Sequence, residues 1–315
     1  MRKLPDSEFM QLSDIEINSQ VEAMANLFKP SEFRSRFDAL LEGGRNQGAF
    51  KPFWDQFGDK FVLRPKELTI VFGSRGSYKS TLVNYLAAQY LMEGAGKVGL
   101  ISYEMEPEDL LYLFVEQMAN SVSFTAEFSK LAHGHIENQL VMVDEMVDSP
   151  HSAIAKCHAM LDMGCKLVIL DCLQRVNMPA NNIDLEREFV VELSNLARKY
   201  CAHIIVVHHS RKGSHADGDN PFPVVDDLKG SGGLADNSHN VVAVWSNKPK
   251  KELQTRIDNG YTPTPEELDL LEKPDVMIDV KKQRKGIFEG KIGLWRTPAR
   301  AFHRKGAKVN VLERK

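Results

Sequence analysis

Gly73-Ser74-Arg75-Gly76-Ser77-Tyr78-Lys79-Ser80-Thr81 is the stretch on which the reading of this chain turns. From Gly73 to Ser80 it fits the phosphate-loop pattern G-x-x-x-x-G-K-[ST] at every position but one, with Tyr78 standing where the second glycine belongs. The apolar run LTIVF ends just before it and the helical pattern KSTLVNYLAAQYL begins inside it, which is the strand–loop–helix context such a loop needs. Backbone N–H groups at a helix N-terminus attract anions, a lysine adds a mobile positive charge, and a serine hydroxyl can ligate magnesium. The candidate nucleotide-binding residues are therefore Gly73, Ser74, Gly76, Ser77, Tyr78, Lys79, Ser80 and Thr81, for ATP or another NTP, with Ser80 on Mg2+. A bulky residue at positive φ costs about 1–3 kcal/mol. Gly73 and Gly76 are accordingly expected to take the sharp bends, with the Tyr78 ring pointing away from the phosphates.

Outward from this loop the texture repeats. LTIVF, KVGLIS, QLVMVD, KLVILD, HIIVVH and VVAVW are short apolar runs suited to strands buried on both faces. Helical patterns lie between them at residues 79–92, 107–120, 151–163 and 185–200. The alternation predicts an α/β domain with a mainly parallel sheet. After Trp245 the layout changes: a polar segment with a helix start at Thr264-Pro265-Glu266-Glu267, then VMIDVKK and GKIGLW, which can pair as a C-terminal antiparallel hairpin. Upstream, SEFRSRFDALLEGG places Phe33, Phe37, Leu40 and Leu41 at helical spacing and stops at Gly43 and Gly44. Residues 1–50 thus read as an N-terminal extension with one short helix, and 51–315 as the α/β domain.

The chain has 315 residues, 43% hydrophobic and 26% charged, as in a globular protein. No apolar run approaches the roughly 20 residues of a membrane span, and MRKLPDSEF is no signal peptide, so a cytoplasmic location without membrane is expected. Cys157, Cys165, Cys172 and Cys201 lie in apolar segments without CxxC spacing and read as buried thiols. The net charge of −3 argues against a wholly basic coat, yet residues 281–315 carry 12 Lys plus Arg against two Glu, which favours an anionic partner at that end.

Two acids stand at strand tips. Asp171 ends KLVILD, where a parallel sheet presents ligands, and can organise a metal through water; a helix-capping role is the alternative. Glu104 follows KVGLISY and can polarise an attacking water, or else be a surface acid opening the next helix.

Taken together, GSRGSYKST, LISYEMEPEDL, LVILDCLQRV, HIIVVHHSRK, DLKGSGGLADNSHNVVAVW and VKKQRKG resemble, in order, the motifs of the superfamily 4 replicative ring helicases: the DnaB type and the helicase half of phage primase-helicases. The similarity runs from about Phe57 to about Phe302. It implies a RecA-like P-loop NTPase core with Glu104 as catalytic carboxylate and Asp171 as metal-organising acid. His209 falls where the family senses the γ-phosphate, and Lys282 and Arg284 match the pair that reaches a neighbouring subunit's nucleotide. The helix over 31–41 resembles the linker helix by which ring subunits dock, although a self-packed helix stays possible. Arg211, Lys212, Lys229, Gly230, Ser231 and Gly232, in a long loop after HIIVVHH, could grip phosphates of single-stranded DNA without reading bases; the same loop carries acids, as a plain surface loop would.

The resemblance implies an ATP-dependent helicase of DNA replication, a ring of this chain (a hexamer expected), 5′→3′ polarity, a separate primase, and a bacterial or phage-infected cell. A recombinase-like DNA-binding filament and a regulatory or loader ATPase are the alternatives.

Overall fold

The computed structural model describes residues 29–44, 46–55, 60–178, 183–210, 220–228 and 232–313. The chain divides between Gln47 and Gly48 into two units. In the first, a 3-10 turn (Pro30–Phe33) leads into α1 (Arg34–Gly43), which Gly44 terminates at φ 71°. Arg34 and Asp38 pair one turn apart at 3.0 Å, and Phe33, Phe37, Leu40 and Leu41 are exposed.

The second unit is the α/β domain. Its elements run β1 (Glu67–Gly73), α2 (Lys79–Met92), β2 (Lys97–Ser102), α3 (Pro107–Ala119), α4 (Ala126–Ile136), β3 (Leu140–Val143), α5 (Pro150–Asp162), β4 (Cys165–Asp171), α6 (Ile183–Tyr200) and β5 (His203–His209). Then come α7 (Gly232–Asn237), β6 (Asn240–Ser246), α8 (Lys248–Asp258), α9 (Pro265–Leu271), β7 (Val276–Gln283), β8 (Gly290–Arg296) and β9 (Phe302–His303). Among the described residues these strands form a nine-stranded sheet in the order β3-β2-β4-β5-β1-β6-β7-β8-β9. The six apolar runs are the parallel strands β1 to β6, and the expected C-terminal hairpin is β7–β8, antiparallel to β6. The observed sheet is thus the RecA-like α/β arrangement the motifs imply.

Period-2 alternation sorts the strand residues onto two cores. Val71, Leu100, Ile169, Ile205 and Val242 join α2, α3 and α4 on one face. Ile70, Phe72, Val168, Leu170, Val206 and Ala243 join α5 and α6 on the other. Each such side chain contributes about 1.5–3 kcal/mol on burial. Phe302 on β9 closes the first core, with ring contacts to Phe53 and Tyr85.

Three helices were not expected: α7, which follows the stretch read as a long loop, α8 and α4. α8 buries only Leu253 and Lys250 and so shows no apolar stripe; its start is set by Asn247, whose side chain accepts from Lys250 N. α4 carries Gly134 within it but is capped by Thr125. One thiol expectation also fails: Cys201 is exposed, in the turn between α6 and β5, while the other three cysteines are buried.

Candidate nucleotide site

Strand register assembles the site. Gly73 at the end of β1 lies opposite His209 at the end of β5, and Ser102 at the end of β2 lies opposite Asp171 at the end of β4. Because these strands are parallel, all their carboxyl ends, and the loops beyond them, share one edge of the sheet, the place where open α/β sheets bind ligands.

The phosphate loop joins β1 to α2. Gly73 has no room for a side chain: a Cβ would collide with the Val244 carbonyl oxygen of β6. Its φ is unexceptional, so close packing, and not a sharp bend, requires glycine there. Gly76 does bend, at φ 73°. Contrary to expectation, Tyr78 takes the other bend itself, at φ 67° and ψ 22°, the left-handed conformation a glycine would hold without strain. Its half-buried ring faces α8 and β8, with Arg296 4.7 Å and Lys251 5.7 Å from its centroid.

Lys79 is buried, and its ammonium donates to Ser74 O at 2.8 Å. Burial lowers its pKa to about 8, partly offset by the negative charges of Asp171 and Glu104. Asp171 is also buried; burial lifts its carboxyl to about 6 against a hydrogen bond from Ser80, and Oδ1 has no hydrogen-bond partner among the described residues. A buried orphan carboxylate oxygen beside a serine hydroxyl and a lysine suits a divalent cation carried in with a nucleotide.

Glu104 and His209 meet: His209 Nε2 lies 3.1 Å from Glu104 Oε1. The Cys172 thiol donates to the same oxygen at 3.2 Å. For Glu104, burial raises the pKa, but the His209 and Cys172 hydrogen bonds, with the Lys79 charge, outweigh it and hold the carboxyl below its usual range. Burial, with the Lys79 charge, pushes the His209 pKa down against Glu104, so the ring is neutral near pH 7. A carboxylate acceptor then requires the Nε2–H tautomer. Glu104, Cys172 and His209 offer ligand atoms all within 4.8 Å of one another. Cys172 is the residue that reading by motif left out; its one signal was adjacency to Asp171. Gln174 steadies the tip of β5, its Nε2 donating to His209 O at 3.0 Å.

Lys282 and Arg284 stand apart from this cluster. Gln283 pairs with Asn240 and Val276 with Ser246, so the end of β7 lies at the sheet edge opposite the phosphate loop. There Lys282 Nζ donates to Ala235 O at 2.6 Å, and Arg284 donates to Asp236 O, two carbonyls in the last turn of α7.

Of the candidate DNA contacts, Arg211, Lys212, Lys229, Gly230 and Ser231 lie outside the described residues, and Gly232 begins α7. The flanks of residues 211–219 are well tied. Ser210 N donates to Gly73 O at 2.9 Å; Asn220 Nδ2 donates to Ser246 O at 2.8 Å; Phe222 stacks on Trp245 at 4.4 Å.

A parallel sheet that ends in a lysine-bearing loop, two acids and a histidine defines a P-loop nucleotide-binding domain. The AAA domain family profile matches residues 58–215, half of the chain, and the chain belongs to that family. No curated protein matches it in sequence. Among solved structures, it resembles the ATPase domain of a phage helicase at a TM-score of 0.67 and 15% identity, covering 89% of this chain and 99% of that one. It also resembles a DnaB-like replicative helicase, described with its interactions with primase, at a TM-score of 0.62 and 16% identity, covering 95% and 77%. Among the described residues no helix is long and apolar enough to cross a membrane.

Proposed function

We propose that this chain is an ATP-dependent helicase subunit of DNA replication that translocates on single-stranded DNA as a ring, a hexamer of identical chains. The observation that carries the reading is the division of its candidate residues between opposite edges of one sheet. Lys79, Ser80, Glu104, Asp171 and His209 gather at the carboxyl ends of the parallel strands, while Lys282 and Arg284 lie at the far end of β7. A site completed by a neighbour needs that separation, and a head-to-tail ring supplies the neighbour.

In this reading the loop amides and Lys79 hold the phosphates, and Ser80 and Asp171 hold the Mg2+ that accompanies them, which neutralises phosphate charge. Glu104, ionised at neutral pH, accepts a hydrogen bond from a water and takes its proton. His209 orients Glu104 through Nε2 and links it to the chain that leads into residues 211–219. Arg211, Lys212, Lys229, Gly230, Ser231 and Gly232 hold DNA phosphates, so binding is salt-sensitive and tolerant of sequence. Arg284 and Lys282 of one chain stabilise charge on the neighbour's transferring phosphoryl group. The exposed apolar face of α1 docks residues 1–50 on an adjacent chain. A separate primase and a bacterial or phage-infected cell complete the proposal.

The decisive experiment is strand displacement on substrates with 5′ or 3′ tails, run beside ATP turnover with and without single-stranded DNA. Unwinding of the 5′-tailed substrate, with turnover stimulated by DNA, is expected. Turnover without displacement on either substrate would move the chain to the filament or regulatory class. Glu104→Gln should keep nucleotide binding and lower turnover by about 10²–10⁴.

A further inference from the structure

Tyr78 contributes its backbone to the phosphate loop, but binding of a nucleotide assigns no task to its ring. Its φ of 67° lies in a region that costs an L-residue without a short polar side chain, and a phenol cannot repay that cost by bonding its own backbone. What surrounds the ring can. The guanidinium of Arg296 sits 4.7 Å and the ammonium of Lys251 5.7 Å from the ring centroid, both within cation–π range, and the ring also packs on the first core.

The two cations come from different elements, the last residue of β8 and the first half of α8, and one carboxylate registers both elements. Asp275 Oδ2 accepts from Arg296 N at 2.8 Å, and its Oδ1 pairs with Lys250 Nζ at 2.9 Å. The rest of the loop leans on the same half of the sheet, Gly73 against Val244 and Gly76 O within 3.5 Å of Ser246 Oγ.

We propose that Tyr78, gripped between Lys251 and Arg296, is a latch that holds the phosphate loop in its anion-binding turn from the α8–β8 corner, which makes Arg296 and Lys251 positioning residues for the bound phosphates. The latch rests on the nucleotide reading for its ligand but not for its geometry. Where a glycine would leave the turn to the backbone alone, this loop has a side-chain handle, and the handle is held by the part of the sheet whose other end carries Lys282 and Arg284.

Tyr78 and Lys251 also border a cavity of about 480 Å³ with Asn247 and Arg256. The test must therefore separate a latch from a direct ligand contact. In the full chain, affinities for ATP and for inorganic tripolyphosphate are measured by calorimetry, and hydrogen exchange of the amides of residues 74–80 is followed without nucleotide. Arg296→Ala should speed that exchange and weaken both ligands about fivefold, and Lys251→Ala with Arg296→Ala about tenfold or more. Arg296→Lys, which keeps a cation, should retain most of the affinity and guards against a misfolded alanine variant.

In the Tyr78→Gly background, Arg296→Ala should change neither affinity nor exchange. An equal loss in that background, or a loss for ATP with none for tripolyphosphate, would make Arg296 a ligand contact and overturn the latch. If the unmodified protein binds neither ligand, the nucleotide reading falls, and the exchange of residues 74–80 still decides the latch: no change on Arg296→Ala refutes it.

Discussion

Replacing Arg284 by alanine separates two sites that one chain cannot join. Asn240 pairs with Gln283 and Ser246 with Val276, so six strand steps of about 3.3 Å, roughly 20 Å, lie between Arg284 and the phosphate-loop edge of its own sheet. That exceeds the reach of an arginine side chain, so a triphosphate on the chain's own phosphate loop is out of range of Arg284, and the proposed contact has to be made to another copy. In its own chain Arg284 donates to Asp236 O at an exposed position, and losing that bond should cost the fold no more than about 1 kcal/mol. Arg284→Ala should therefore melt like the unmodified protein and bind ATP within about threefold, while turnover falls on the order of 10³-fold.

Lys79→Ala disables the complementary half. When the two variants are mixed one to one and reassembled, a complete site needs an intact loop from an Arg284→Ala chain beside an intact arginine from a Lys79→Ala chain. In a randomly mixed head-to-tail ring that happens at about one interface in four, so up to roughly a quarter of the normal turnover should return. The assay is steady-state phosphate release across mixing ratios, with the maximum near equal amounts. No recovery at any ratio refutes the division of the site between chains.

Three further outcomes follow from the site and the core. Lys79 titrates at about 8 in the free chain because it is buried, and a bound triphosphate favours its charged form. Nucleotide affinity should thus fall as pH rises above about 8, by up to about tenfold per unit, with proton uptake on binding seen by calorimetry in two buffers. The free fold responds with the opposite sign: its lysine pKa is lowered from 10.5, so the unfolded chain holds the extra proton and stability rises as pH climbs from about 8 towards 10.5. Affinity that stays flat through this range would remove Lys79 from the phosphates. Gly73→Ala must displace the loop from Val244 and should abolish nucleotide binding, whereas a Cβ at Gly76 meets open space and Gly76→Ala should cost only the left-handed strain, about 1–2 kcal/mol; equal effects in a binding titration would contradict the packing at Gly73. Phe302→Ala should lower unfolding free energy by about 3–5 kcal/mol in denaturant titration, since the ring is buried against Phe53 and Tyr85.

Much of this was legible without coordinates. The runs LTIVF, KVGLIS and KLVILD are apolar on both faces; Gly73 directly follows the first, Glu104 lies two residues beyond the second and Asp171 ends the third, so the alternation of strand and helix carries both the fold and the placing of those residues near strand ends. α8 was not legible, because a polar surface helix that buries only Leu253 and Lys250 leaves no periodic trace. Cys172 was hidden for a different reason: its contact with Glu104 joins residues 68 positions apart.

The order of residues along the chain, acting through local periodicity and the short reach of backbone sterics, determined the six parallel strands, the helices with an apolar stripe between them, and that a lysine and a serine open α2 behind a glycine-bearing turn. Only the packed sheet decided that β5 lies beside β1, which sets His209 on Glu104, and that β7 runs antiparallel to β6, which carries Arg284 to the far edge. It also decided that Tyr78 holds the left-handed turn a glycine was expected to make. Such outcomes depend on contacts between elements distant in sequence, and the energies that select them, from buried faces, a paired register and two cations on one ring, exist only once those elements have met.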